Sequence, residues 1–164
     1  MFFSIKQSMM EEFPPGFVVN TETAIGSNVL NHLINKVRNQ PGFSLFDYEK
    51  VKGSRHILAA INNTVRRKQY NDLRAKSIET EFILFLSGER QIIKAQKDIG
   101  LSEKTRKIGI IIWKIHDAEH ILKEIVNIIS KEGMILNVHK IDYSEDNGLE
   151  EDLAIEKTTM SNLK

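Results

Sequence analysis

No cysteine occurs among the 164 residues, which excludes disulfides, thiol nucleophiles and every cysteine-ligated zinc site at once. The absence fits a reducing, cytoplasmic location. Long apolar runs are missing too. Ile108 to Trp113, counting Gly109, falls far short of the roughly 20 residues a membrane helix needs. No membrane partner is expected. The N-terminus lacks a basic region followed by a sustained apolar core, so no signal peptide is expected. No Walker loop, dinucleotide glycine fingerprint or Gly-x-Ser-x-Gly elbow is present. Without a nucleophile, a metal set or a cofactor cradle, the chain is expected to be non-catalytic and to need no cofactor.

What is present is ordinary for a globular chain: 41% hydrophobic and 27% charged residues. The length suits a single domain over residues 1–164, long enough to bury a core without staples. Net charge is +1, with 23 basic and 22 acidic residues, and at first sight speaks against nucleic acid. The average hides a split. Lys52 to Lys107 carries 13 Lys/Arg against 6 Asp/Glu, a net of +7, and Asp142 to Lys164 carries 7 acidic against 2 basic, a net of −5. Such asymmetry reads either as two surfaces for two partners or as two ordinary solvated helix faces.

Periodicity predicts a two-layer α+β fold, with helices packed against a small mixed sheet. Phe2 to Ile5 reads as a short edge strand, and Glu12 to Gly16 as a breaker cluster around Pro14-Pro15. A helix is predicted over Ile25 to Asn39, capped by Thr21 or Thr23, and a strand over Phe43 to Val51. Ser54 is expected to cap the next helix, whose stripe is Ile57, Ala60, Ile61 and Val65. A buried helix follows over Ile78 to Leu86, interrupted by Gly88. A third runs from Glu89 to Ile99, closing at Gly100 in positive φ. Lys107 to Ile115 is predicted as a central strand, Asp117 to Gly133 as a capped amphipathic helix, and Met134 to Ile141 as another strand. A last helix is predicted over Leu149 to Asn162.

Two weak signals carry little. His116 and His120 stand at i, i+4, but His-Asp-Ala-Glu-His is not the zincin order and no third ligand is evident. Glu81 heads a buried helix and is expected to accept from backbone amides or pair with a base.

The distinctive stretch is Ser54-Arg55-His56-Ile57-Leu58-Ala59-Ala60, then Lys76-Ser77-Ile78-Glu79-Thr80-Glu81, then Leu86-Ser87-Gly88-Glu89-Arg90-Gln91-Ile92, continuing to Ile99-Gly100-Leu101-Ser102. In these motifs, and in Leu153 to Lys157, the chain resembles the family of small kinase-binding subunits of the KEOPS complex. The likeness covers Phe43 to Leu163, about three quarters of the chain. Residues 1–42 match poorly. Lys76 stands where the family usually has Arg, and Ser77 where it has Asn or Thr. The Gly88 to Ile92 turn is closest to archaeal members.

The resemblance implies a non-catalytic accessory subunit that binds the N-lobe of the complex's small atypical kinase. It also implies recruitment of tRNA through its single-stranded 3′ CCA end. The threonylcarbamoyl-transferase subunit, which modifies adenosine beside the anticodon, would be an indirect partner. The implied tRNA-contacting residues are Lys52, Arg55, His56, Lys76, Ser77, Gly88, Arg90, Gln91 and Ile92. A flexible 3′ end needs cations for phosphate, apolar or aromatic faces for bases, and donors for base edges. Arg90 suits bidentate phosphate contact, Gln91 a base edge, Ile92 an apolar face, and His56 stacking. Gly88 reads equally as a helix breaker and Ile92 as a core residue. Arg66, Arg67 and Lys68 read as a peripheral steering patch. Aromatic residues are sparse for a single-strand binder. The kinase contact falls to the last helix, at Leu149, Leu153, Ile155, Thr159 and Met160, against the alternative that this helix docks on its own core. A purely protein-binding module without tRNA affinity is the rival reading.

Overall fold

Val18 and Val19 are both fully buried, yet neighbours along a strand point to opposite faces. A strand buried on both faces needs cover above and below, and the chain supplies it. The computed structural model describes residues 13–144. Strand β1, Gly16–Thr21, is followed by helix α1, Gly26–Asn39, strand β2, Phe43–Asp47, and a 3₁₀ turn, Tyr48–Lys50. Helices α2, Ser54–Gln69, α3, Ile78–Ser87, and α4, Ile92–Ile99, come next. Strand β3, Lys107–Ile112, a 3₁₀ turn, Ile115–Asp117, helix α5, Ala118–Ser130, and strand β4, Ile135–Lys140, complete the described chain.

The four strands lie in the order β2-β3-β1-β4, and every neighbouring pair is antiparallel. The α+β class is as the sequence predicts, but the sheet is not mixed. Nor are there two layers. On one face Val18, Phe46 and Ile111 pack against α2, α3 and α4, through residues such as Ile57, Ile61, Phe82 and Ala95. On the other, Val19, Phe43, Ile108, Ile110 and Ile112 pack against Val29 and Leu33 of α1 and Ile121, Ile125 and Ile129 of α5. The sheet is therefore the middle of three layers. β3 is central, as its β-branched run implies. β1, which the periodicity does not reveal, is its neighbour inside the sheet.

Gly109 sits at the centre of β3, opposite Val18 on one side and Phe46 on the other. A Cβ there would run into the Phe46 ring. The missing side chain lets that ring lie across the sheet and meet Phe82 at 5.9 Å between centroids. Phe82 in turn meets Trp113 edge-on at 5.6 Å. The indole N–H donates to Ser44 Oγ at 3.0 Å, and Ser44 Oγ donates to the Glu79 carbonyl at 2.9 Å. Glu79 Oε1 accepts from Gly42 N–H at 2.8 Å. Helix α3 is thus clamped to β2 at its first turn and packed on the sheet along its length.

Several predicted caps are replaced by other partners. Neither Thr21 nor Thr23 caps α1. Thr21 Oγ1 bonds the Thr23 and Arg106 carbonyls, while the Ile25 and Gly26 amides donate to the Thr105 and Glu103 carbonyls. β2 stops at Asp47, because its carboxylate turns back to cap the 3₁₀ turn by accepting from Glu49 N–H at 3.0 Å. Ser54 is the first residue of α2, not its cap, and Gly53 precedes it at φ +132. Asp117 makes no cap bond and pairs with Lys114 at 3.1 Å. Gly100 ends α4 with φ −71, so no positive φ is needed there. Lys36 of α1 ties to Glu124 of α5 at 2.5 Å, and this bond holds the Glu124 carboxyl below the usual carboxylate range. The strand predicted at Phe2 to Ile5 and the helix predicted at Leu149 to Asn162 lie outside the described residues.

Because the Phe46 ring occupies the space beside Gly109, Gly109→Ala is expected to destabilise the fold by about 1–3 kcal/mol, as overpacking does. Urea unfolding followed by circular dichroism checks this, read as a lowered midpoint at unchanged slope.

Candidate nucleic-acid interface

Two chain segments meet at the N-terminal end of α2. His56, one turn into that helix, is buried. Its Nδ1 accepts from the Lys52 N–H at 3.2 Å. An amide can only donate, so the ring proton sits on Nε2, which donates to the Leu86 carbonyl at 2.9 Å. Both ring nitrogens are engaged inside the protein. His56 is therefore a strut between the loop carrying Lys52 and the last turn of α3, and offers no face for stacking. Lys52 is exposed and Arg55 half-buried on the segment that this strut holds.

The last turn of α3 leads into Gly88, at φ +73 and ψ 13. Only a residue that tolerates the left-handed region closes a helix in this way without strain. Its N–H donates to the Leu84 carbonyl at 2.9 Å and is shared with Phe85 at 3.2 Å. Ser87 Oγ donates to Leu84 O at 3.0 Å and accepts from Glu89 N–H at 3.1 Å. Gly88 thus ends α3 and does not begin the following helix. Helix α4 starts at Ile92, three residues later than the sequence predicts, because Glu89 is held by Ser87 instead. The first amides of α4 have no intrahelical partner, and Arg90 and Gln91 are exposed immediately before them. Ile92 is half-buried and packs on the core shared by α2, α3 and α4.

Lys76 and Ser77 lie elsewhere. Ser77 caps the opposite end of α3, accepting from Thr80 N–H at 3.3 Å and donating to Thr80 Oγ1 at 3.0 Å. Ten residues of helix separate it from Gly88, about 15 Å at 1.5 Å per residue. The structure therefore brings Lys52 and Arg55 to the Gly88–Ile92 end of α3, sets Lys76 and Ser77 at the far end, and takes His56 into the interior.

Sequence reasoning missed how the loop between α2 and α3 is anchored. Glu81, fully buried, accepts from the Arg74 backbone amide and from Arg74 Nε at 3.1 Å. The Arg74 guanidinium lies 4.4 Å from the Phe85 ring centroid, and that of Arg67 5.8 Å from the same ring. Glu81 is expected to accept from backbone amides or to pair with a base, and it does both with one residue. Elsewhere, His120 pairs with Glu124 at 2.6 Å on α5, while His116 sits in the preceding 3₁₀ turn. An open groove of about 230 Å³ lies at the C-terminal end of α4, lined by Leu33, Val37, Leu45 and Leu101, and none of the candidate residues borders it. Leu149, Leu153, Ile155, Thr159 and Met160 lie outside the described residues.

The fold and these two helix ends define a class: a three-layer α+β domain that presents exposed cations at the helix termini. Residues 18–148 match the family described as kinase binding protein CGI-121, and the chain belongs to that family. It is also similar to a protein of Coccidioides immitis (strain RS) named EKC/KEOPS complex subunit CGI121, with 31% identity over 85 residues. That match covers 52% of this chain and 40% of the relative's length.

The strut implies a stability cost without it. His56→Ala leaves the buried Leu86 carbonyl without its donor and is expected to cost about 1–3 kcal/mol. Thermal and urea unfolding of the purified variant check this.

Proposed function

We propose that this chain is a non-catalytic subunit of a KEOPS assembly, binding its small atypical kinase and recruiting tRNA through the single-stranded 3′ CCA end. Family membership across residues 18–148 carries the kinase-binding half of the reading, and the fungal relative's name supports the assembly. The RNA half rests on local geometry. The His56 bridge holds Lys52 and Arg55 beside the Gly88 turn. Arg90, Gln91 and the first amides of α4 follow that turn, and together they supply the cations and base-edge donors that a 3′ end requires. Lys76 and Ser77, about 15 Å away along α3, would meet the RNA further along its backbone. The kinase contact is assigned to Leu149, Leu153, Ile155, Thr159 and Met160, on the acidic segment. A purely protein-binding role is favoured by two observations: Ile92 packs on the core and Ser77 is spent as a cap.

Arg90→Ala is expected to weaken binding of intact tRNA several-fold while leaving the unfolding midpoint unchanged. Gel-shift with intact and 3′-trimmed tRNA measures the contrast. Equal affinity of the wild-type chain for both RNAs removes the 3′-end reading, and RNA binding that does not weaken with salt removes a phosphate contact altogether.

Removing residues 145–164 is expected to abolish co-purification of the kinase while the circular dichroism spectrum of the rest persists. Wholesale unfolding of the truncated chain would instead place that segment in the core.

A further inference from the structure

We propose that the free edge of β4 joins the same edge of a second copy of this chain, antiparallel and with Val138 at the two-fold axis. The proposal is independent of the RNA and kinase readings above. Among the described residues β4 pairs with β1 alone. The Ile141 amide donates to the Gly16 carbonyl at 2.8 Å, and bonded and non-bonded pairs alternate along an antiparallel ladder. His139 and Asn137, opposite Val18 and Asn20, therefore bond inward, and the backbone groups of Val138 and Lys140 point outward. Every residue from Leu136 to Lys140 is exposed, Leu136 at 64% and Val138 at 38%. An open edge of this kind is a template for another strand.

The side chains select the occupant. On the face that carries α1 and α5, Ile108, Val19 and Val138 stand opposite one another in a row across β3, β1 and β4. The first two are fully buried, and the row breaks off at the exposed Val138. With Val138 at the axis, a second copy continues the row through its own Val138 and Val19, an apolar pairing of the kind that stabilises a sheet. On the opposite face Asn137 then stands across from His139 of the second copy. That repeats the polar set in which Asn20 Nδ2 lies 2.7 Å from Asn137 Oδ1 and 3.4 Å from His139 Nδ1. Lys140 stands across from Leu136, so the cations are kept apart. A register centred on Lys140 would set two lysines face to face. One centred on Leu136 would fall where the β1–β4 register shifts, beside Asn20 and Thr21. The strand is therefore complementary to itself about Val138, as a two-fold interface requires.

The chain has no cysteine, so one introduced thiol reports one contact. At the axis the two Val138 Cα atoms lie about 5.5 Å apart, within reach of a disulfide. The two Leu136 Cα atoms lie about 14 Å apart, four residues at about 3.4 Å each, beyond that reach. Full-length Val138→Cys is expected to form a covalent dimer under mild oxidation, and Leu136→Cys to stay monomeric, on non-reducing gels. In sedimentation the wild-type chain is expected to pass from monomer to dimer as its concentration rises. Val138→Lys, which sets like charges across the axis, is expected to need at least about tenfold more protein to do so, with an unchanged unfolding midpoint. A wild-type chain that stays monomeric up to millimolar concentration overturns the proposal, as does cross-linking of Leu136→Cys as readily as Val138→Cys. Dimerisation that appears only once residues 1–12 are removed also overturns it, and gives the edge to that segment. A monomeric wild type together with loss of kinase capture by Val138→Lys overturns it too, and gives the edge to the kinase.

Discussion

The missing side chain of Gly109 is the constraint from which the rest of the domain is arranged. A strand residue with any Cβ would lift the Phe46 ring off the sheet. With glycine the Phe46 ring fills that space and reaches Phe82 of α3 on the same face. Burying a phenylalanine side chain is worth about 1.5–3 kcal/mol, so the contact of Phe46 with Phe82 outweighs the small loss of strand propensity that glycine brings. Polar bonds then fix what the rings have placed. The chain from Trp113 through Ser44 to the Glu79 carbonyl sets the height of α3 above β2.

Once α3 is fixed, both candidate surfaces are fixed with it. Its first end presents Lys76 beside the Ser77 cap, and its last end presents the Gly88 turn. Helix α2 is pinned to it by the His56 bridge to Leu86 and by the stacking of Arg67 on Phe85. These contacts allow exposed side chains at helix ends to keep a constant spacing, which a flexible linker would not.

Much of this was legible in the sequence. The buried helix at Ile78, the glycine that ends it, the amphipathic helix before Gly133 and the central strand at Lys107 all carry strong periodicity. β1 was not legible: Phe17-Val18-Val19 is apolar on both faces, so it lacks alternation, and it follows two prolines that read as a breaker. The helix start at Ile92 was hidden because Ser87 captures the Glu89 amide, a local bond that no pattern announces. His56 looked like a surface ligand because a histidine beside an arginine at a helix start gives no sign of burial.

The charge of the basic segment is sharpened by the structure rather than diluted by it. Among the 13 cations and 6 anions from Lys52 to Lys107, Arg74 is paired with the buried Glu81, and Arg67 with Asp72. Each pair withdraws one charge of each sign, so the net of +7 is untouched. It is carried by residues such as Arg66, Lys68, Lys76 and Arg90, which are exposed. The internal pairs also explain why this excess does not loosen the domain. Arg74 and Arg67, the cations nearest the core, spend their charge on the loop and on the Phe85 ring. Self-repulsion is left to groups in water, where salt screens it within about 10 Å. A near-neutral chain can hold a strongly cationic segment because its excess of +7 is offset elsewhere in the sequence, chiefly by the net of −5 from Asp142 to Lys164.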